Sequence, residues 1–375
     1  MTPSSLVTGA VDELKGRARQ EIDDGLLPSC QLALAIDGEV AEVVTYGDVP
    51  HGDGTRYLVY SATKAIVSAA VLQLLGEGSL HLSDRIADHI PEFATNGKDA
   101  VTVEQVMTYT SGFARAPMGP SSWSTREGRF ERFARWRLDG ELGRYDYHIT
   151  SGHWVLAGLL EAVDGVDYRE SVRRRIAEPL GLSQLRLGVP AAEQGDVARP
   201  VPCGEPATAE EFEAALGISG IDAGEANDEN LVALGRPELI ELGLPGGGAV
   251  SDAADMARLY QALLHNPDTL WNPAVLADAT ATVRITALDT IRGVPANRTI
   301  AFMVAGTDGC SAGRGMGHGA GPRTFGHDGI GGQLAFADPA TGLSFCYLTN
   351  GIDRNILRQQ RRARSIATRA NKCGS

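Results

Sequence analysis

The spacing of apolar and polar positions changes character several times along the chain, and each change marks a different kind of element. Val7, Val11, Leu14, Ala18 and Ile22 recur at helical spacing, with Gly25 as the stop. The pattern then turns strand-like. CQLALAI (30–36) and EVAEVVTYG (39–47) flank Asp37-Gly38, a strong hairpin signal. From Ser61 to about residue 190 the pattern is mostly helical. Ala65, Ile66, Val67, Ala69, Ala70, Val71, Leu72, Leu74 and Leu75 are apolar nearly all round, which predicts a buried helix. TVEQVMTYTSGF (102–113) reads as a short capped helix ending near Gly112. Trp154, Val155, Gly158, Leu159, Ala162 and Val163 line another helix; Tyr168, Val172 and Ile176 line a third, stopped by Pro179 and Gly181. Residues 191–240 are Gly-, Pro- and acid-rich with weak periodicity, and read as loops and short helices. LPGGGAVSDAADMARLYQALL (244–264) restarts a helix after a glycine turn. Strand patterns return in TIAFMVAG, GQLAFAD and LSFCYLTN, and a last helix runs from Asp353.

This order predicts an α+β fold: an antiparallel sheet flanked by helices, with an inserted, mostly helical lobe. Residues 1–84 and 240–375 would form the discontinuous α/β lobe and residues 85–239 the insertion. A length of 375 residues allows such a two-lobed molecule.

Charge and cysteine usage narrow the function classes. A formal net charge of −13 argues against nucleic acid, whose binding needs a basic surface. No segment has the apolar length of a membrane span. MTPSSLVTGAVDELKG lacks the basic start and apolar stretch of a signal peptide. The five cysteines are far apart and odd in number, which fits reduced thiols. The expectation is a cytoplasmic protein without membrane or nucleic-acid partners; the pattern leaves its oligomeric state open. Arg354, Arg358, Arg361, Arg362, Arg364 and Arg369 on the last helix would contact an acidic partner or, more ordinarily, form a solvated face.

One local arrangement stands out. Ser61 and Lys64 are three residues apart and share a helix face, yet the helix is apolar. A lysine there is costly unless paired or neutral. Serine is a weak nucleophile that needs a base. A free amine has a pKa of ~10.4 and must drop by ~3 units, worth ~4 kcal/mol, to be half neutral near neutrality. Burial pushes it that way. Alternatively a charged Lys64 lowers the pKa of a neighbouring tyrosine, and the phenolate takes the serine proton. The plain structural reading is a helix-start serine with a snorkelling lysine.

A second serine satisfies G-x-S-x-G, in GCSAG (309–313), but no helix can follow it in RGMGHGAGPRT and no histidine comes after His327. Metal and cofactor sites are not expected. His148 and His153 are five apart, and His51, His81, His89 and His265 lack ligand companions.

YSATKAIVSAAVLQLLGEGSLHLSDRIADHIPEF, followed by VTVEQVMTYTSGF, resembles the serine β-lactamase-like superfamily, closest to its class C-like branch of esterases and peptidases. YDYHITSGHWVLAGLLEAVDG, RIAEPLGLSQLRLG, LPGGGAVSDAADMARLY and FGHDGIGGQLAFADPATGLSFCYLTNG follow in the family's order and cover most of the chain. The resemblance implies a β-lactamase/transpeptidase-like fold and an acyl-enzyme on Ser61, with Lys64 as its partner. It places the catalytic tyrosine at Tyr147, with Tyr145 as the alternative; Ile149 fills the position of the family's asparagine. It also implies an oxyanion hole from the backbone amides of Ser61 and Ile330, with Gly329 giving room. His327-Asp328-Gly329 stands where the family has Lys-Thr-Gly. In lactam-binding members that lysine helps hold a substrate carboxylate, so the change suits a neutral ester or amide. His327 could still donate a hydrogen bond to the substrate or to Tyr147. The walls are expected from 115–147, with Trp123, Phe130, Trp136 and Tyr145, and from 200–240, the aromatic residues being equally compatible with a place in the core. The expected activity is a serine hydrolase of a small-molecule ester or amide, first a carboxylesterase. A D-amino-acid peptidase, amide hydrolase or acyltransferase comes next, and a β-lactamase after that. A catalytically silent sensor on the same scaffold is the non-enzymatic rival.

Overall fold

A computed structural model describes residues 5–221 and 227–374. Asp37 and Gly38 turn with φ of 51° and 86°, as a two-residue hairpin requires, and leave Ile36 opposite Glu39. Strand Ser29–Ile36 pairs on its other side with Leu343–Thr349, Cys30 lying opposite Thr349. The resulting six-stranded sheet runs Met303–Val304, Phe325–Gly326, Leu334–Asp338, Leu343–Thr349, Ser29–Ile36, Glu39–Gly47, with every neighbour antiparallel. It therefore joins sequence from both ends of the chain.

Every residue of Ser29–Ile36 is buried because helices cover both sheet faces. Helix Ala253–His265 lies on one face, where Gln261 donates to the Ala35 carbonyl at 2.9 Å and to Ser344 Oγ at 3.0 Å. Helices Thr8–Asp23 and Ile356–Ala370 cover the other and enclose Leu14, Leu32, Leu34, Phe345 and Ile366. Of the arginines in and just before the last helix, Arg362 alone is buried, while Arg354, Arg361 and Arg364 are exposed. Arg362 pairs with Glu21 and with Asp353 at 2.8 Å, Arg358 with Asp353 at 2.8 Å, and Arg354 with Asp228 at 3.2 Å. The exposed members agree with the ordinary reading of the run as a solvated face, while Arg362 is held inside by carboxylates.

The apolar helix extends over Thr63–Glu77 and is buried from Thr63 to Gln73 and Leu74. It packs with helix Ser151–Asp164 in a core that also holds Phe93, Phe133, Trp154, Leu259 and Trp271. A smaller sheet, in the order Arg186–Leu187, Ala249–Ser251, Arg56–Leu58, Val197–Ala198, leads the chain into this helix.

Two expected elements are shorter. TIAFMVAG keeps only Met303–Val304 as strand, because the Thr299 hydroxyl accepts from the Ala301 and Phe302 amides and closes a turn. In TVEQVMTYTSGF the helix covers Val103–Met107, started by a Thr102/Gln105 capping box, and ends before Tyr109 at φ 60°. Residues 136–150 carry no helix. Of the 200–240 stretch, residues 222–226 lie outside the described residues. All five cysteines are free thiols. Among the described residues no helix is long and apolar enough to cross a membrane.

Candidate active site

Ser61 sits in a tight turn, Tyr60–Ala62, between strand Arg56–Leu58 and helix Thr63–Glu77. Tyr60 takes a left-handed φ of 45°, a strained state for a side chain of its size, and its buried hydroxyl is pinned to the Leu231 carbonyl at 3.0 Å. Thr63 Oγ1 accepts from the Ala249 amide at 3.1 Å, fastening the helix start to the small sheet. One helical turn on, Lys64 Nζ lies 3.1 Å from Ser61 Oγ and 2.6 Å from the Gly246 carbonyl. Ile149, in place of the family asparagine, is exposed and turned out. The Gly246 carbonyl from the glycine turn is thus a second partner of the amine.

Tyr147 completes the group. The Lys64 amine stands 5.4 Å from its ring centroid, and Ser61 and Lys64 both act on its phenol. Burial opposes ionisation of both. It lowers the Lys64 pKa, against the pull of Tyr147, with Arg298 and Arg292 adding to the fall. For Tyr147 burial works upward, but Lys64, Arg298 and the Ser61 hydrogen bond outweigh it and hold the phenol below its ordinary value. Tyr145 stands elsewhere: its hydroxyl donates to Asp289 Oδ2 at 2.9 Å and accepts from Arg298 Nε at 3.2 Å. Burial raises its pKa. Geometry therefore puts Tyr147, not Tyr145, beside the serine.

The sheet edge closes the other side. His327 Nδ1 lies 2.8 Å from the Asp328 carbonyl. A carbonyl only accepts, so that nitrogen carries the proton, and Nε2 is an acceptor facing Arg298 Nη1 at 3.5 Å. Burial, then the charges of Arg298 and Lys64, hold the ring well below the usual histidine range. His327 is thus neutral with its one proton committed, which corrects the expectation that it donates to Tyr147 or a substrate. Asp328 turns away to a bidentate pair with Arg292.

Gly329 follows. A Cβ there would lie 2.4 Å from the Val59 carbonyl, so glycine lets this turn approach the segment carrying Ser61. The Gly329 amide donates to the Gln333 carbonyl at 2.9 Å. The Gln359 side-chain oxygen accepts from the amides of Gly331 (3.0 Å) and Gly332 (2.8 Å). Among the described residues the amides of Ile330 and Ser61 have no acceptor.

Two expected wall residues are displaced. Trp136 is 2 % exposed, packed on Phe113 and Phe133, with its indole N–H donating to the Pro117 carbonyl at 2.9 Å. It is core: aromatic content does not reveal which side of a wall a ring faces. Phe130 is buried likewise, and Trp123 is half-buried against the same core. Ser311 lies in a short turn, Ser311–Arg314, and donates to the Gly317 carbonyl at 2.7 Å, with no histidine as its partner. Among the described residues no cluster of metal-ligating side chains occurs. His148 and His153 are buried and neutral. Burial, then Lys64, pushes His148 down to about 3. Arg298 and Arg292 escaped the sequence reading: no short motif marks them, and only the tertiary fold brings them to Tyr147; Tyr109 lies in the motif VTVEQVMTYTSGF, which gave no sign of its stacking on Tyr147.

Comparison with known proteins agrees with this architecture. A mycobacterial protein named Esterase/beta-lactamase LipL, from Mycobacterium tuberculosis, is 25% identical over 324 residues, covering 81% of this chain and 71% of that protein. The crystal structure of a penicillin-binding protein homolog from Caulobacter crescentus superposes with a TM-score of 0.77 at 27% identity, covering 96% and 97% of the two chains. A family VIII carboxylesterase structure superposes with a TM-score of 0.74 at 22% identity, covering 99% and 100%. The family model described as Beta-lactamase matches residues 14–368. With that match spanning nearly its whole length, the chain belongs to the beta-lactamase family.

Proposed function

We propose that the protein is a serine hydrolase that cleaves a small ester through an acyl-enzyme on Ser61, a carboxylesterase. The observation that carries this reading is the contact of Ser61 Oγ with Lys64 Nζ at 3.1 Å in a buried site shared with Tyr147. In this reading Tyr147, ionised against Lys64, takes the serine proton as Oγ attacks the carbonyl carbon. The proton then passes to the leaving alcohol as the ester bond breaks. Water, deprotonated by the same pair, attacks the acyl carbon and returns Ser61. The free amides of Ser61 and Ile330 receive the oxyanion, an arrangement whose loss typically costs 10²–10³ in rate per donor. The mycobacterial relative's name supports an esterase, and the neutral His327 removes the sheet-edge lysine that suits an anionic lactam.

Hydrolysis of short-chain p-nitrophenyl esters by wild type, Ser61→Ala and Ser311→Ala tests it, with mass spectrometry for a phosphonate adduct on Ser61. Turnover lost only in Ser61→Ala, with an adduct at that residue, is the expected result. Absence of both turnover and adduct in wild type would favour a silent sensor. Faster turnover of D-amino-acid amides or of nitrocefin than of esters would move the assignment to an amidase or a β-lactamase.

A further inference from the structure

Arg298 plays no part in the proton path just described, yet it is the most unusually placed charge in the site. Its side chain is fully buried. The guanidinium carbon stands 4.8 Å from the Tyr109 ring centroid and 4.9 Å from that of Tyr147. Nε donates to Tyr145 at 3.2 Å and Nη1 faces His327 Nε2 at 3.5 Å, while Nη2 has no partner. Among the described residues no carboxylate lies within ion-pair distance of it. The nearest negative group it reaches, Asp289, is one step away through the Tyr145 hydroxyl. Arg292, by contrast, is neutralised by Asp328. A buried cation without a counter-ion is expensive and persists only where something answers its charge.

We propose that Arg298 is a positioning residue for Tyr147: stacked on the ring, it supplies the permanent charge against which the phenolate forms, beside a sheet edge whose histidine is neutral. This rests on the reading of Tyr147 as the group that takes the serine proton. The groups facing Tyr147 are few. The helix mouth presents Ser61 and Lys64, the 102–113 segment presents Tyr109, stacked at 5.1 Å, and the sheet edge presents His327 at 6.4 Å. Tyr145 and His148 flank it in its own loop, and Arg292 comes from the 288–295 hairpin with its carboxylate partners Asp289 and Asp328. Lys64 can answer a proton gained by Tyr147 by losing its own, whereas an arginine cannot be deprotonated. Lys64 is therefore the variable charge and Arg298 the constant one. Ionisation also strengthens the attraction between the guanidinium and the ring face. Tyr109 touches the same cation but is not beside Lys64 or Ser61, and burial raises its pKa.

The test compares pH profiles of kcat/KM for ester hydrolysis by wild type, Arg298→Met, Arg298→Gln and Arg298→Lys. The acid limb should move up by about 1–3 pH units in the Met and Gln variants, with activity recovering at high pH. The Lys variant should restore part of the shift, because a buried ammonium beside the ring supplies charge but can lose its proton. Equal loss at every pH, with the limb unmoved in Arg298→Gln, would overturn the proposal and leave a packing role. Gln retains hydrogen-bonding capacity, so it decides the matter if the Met variant does not fold. Ultraviolet tyrosinate titration in a Ser61→Ala background, assigned with Ser61→Ala/Tyr147→Phe, reads the phenol without turnover. Failure of the titration to respond to Arg298→Gln sinks this proposal alone, whereas full turnover by Tyr147→Phe would sink the reading beneath it.

Discussion

At the residue scale the site is an answer to one electrostatic problem: how to hold an amine, a phenol and a hydroxyl together out of water. Lys64 is accommodated because the Gly246 carbonyl, Ser61 and Tyr147 all engage its nitrogen. Replacing Tyr147 by Phe should lower kcat about 10²–10⁴-fold, the usual range for loss of a general acid–base group, while Tyr145→Phe should cost far less. Steady-state kinetics on a p-nitrophenyl ester will separate the two. In wild type, activity should fall as pH falls through the acid limb, because protonation removes the phenolate that the neighbouring cations favour. The Ser61–Lys64 contact was legible in the sequence because both residues lie within one helical turn, so local geometry alone brings them together. Arg298 was not, because its role arises from segments near residues 109, 147 and 327 meeting it in space. Trp136 was misplaced for the same reason: its type announced an apolar environment but not whether that environment was pocket or core.

At the scale of elements, the site depends on how closely the sheet edge approaches the serine turn. Gly329 sets that distance. In Gly329→Ala the new methyl would collide with the Val59 carbonyl, which is backbone and cannot swing aside. The turn must retreat and carry the Ile330 amide with it. A shift of about 1 Å can cost 10²-fold in rate, so kcat should drop by roughly that factor while the thermal melt shows a folded protein. A second element-level prediction concerns the buried Arg129–Glu161 pair that ties helix Arg126–Arg135 to helix Ser151–Asp164. Glu161→Gln leaves the guanidinium only its longer ion pair with Asp167 at 3.6 Å and should cost up to about 3–5 kcal/mol in urea unfolding. Helix positions were readable from periodicity; the irregular backbone of 136–150, which carries Tyr147, was not, because no repeating pattern specifies it.

For the whole molecule, the buried histidines dictate a direction of pH dependence. His148, His153 and His327 all have folded pKa values below the ordinary histidine value, so the unfolded chain binds their protons first as pH falls. Each contributes stability that is present above about pH 6.5 and lost below it, at ~1.4 kcal/mol per pH unit. Asp252, raised by burial to about 6, acts with the opposite sign and offsets one of the three down to about pH 4. Three histidines against one aspartate leave a net loss of stability as pH falls from about 6.5 towards 4. Chemical denaturation across this range checks it, and His148→Gln should flatten the slope by about half where Asp252 offsets one histidine.

The strand at residues 29–36, oily on both sides, waits for a partner that the ribosome makes more than three hundred positions later. Until residues 343–349 emerge, that hairpin presents an unpaired edge to every other nascent chain nearby. Yield during overproduction should therefore respond to slower synthesis and to holdase chaperones more than to substitutions around the serine, since the vulnerable species exists before any catalytic pocket does.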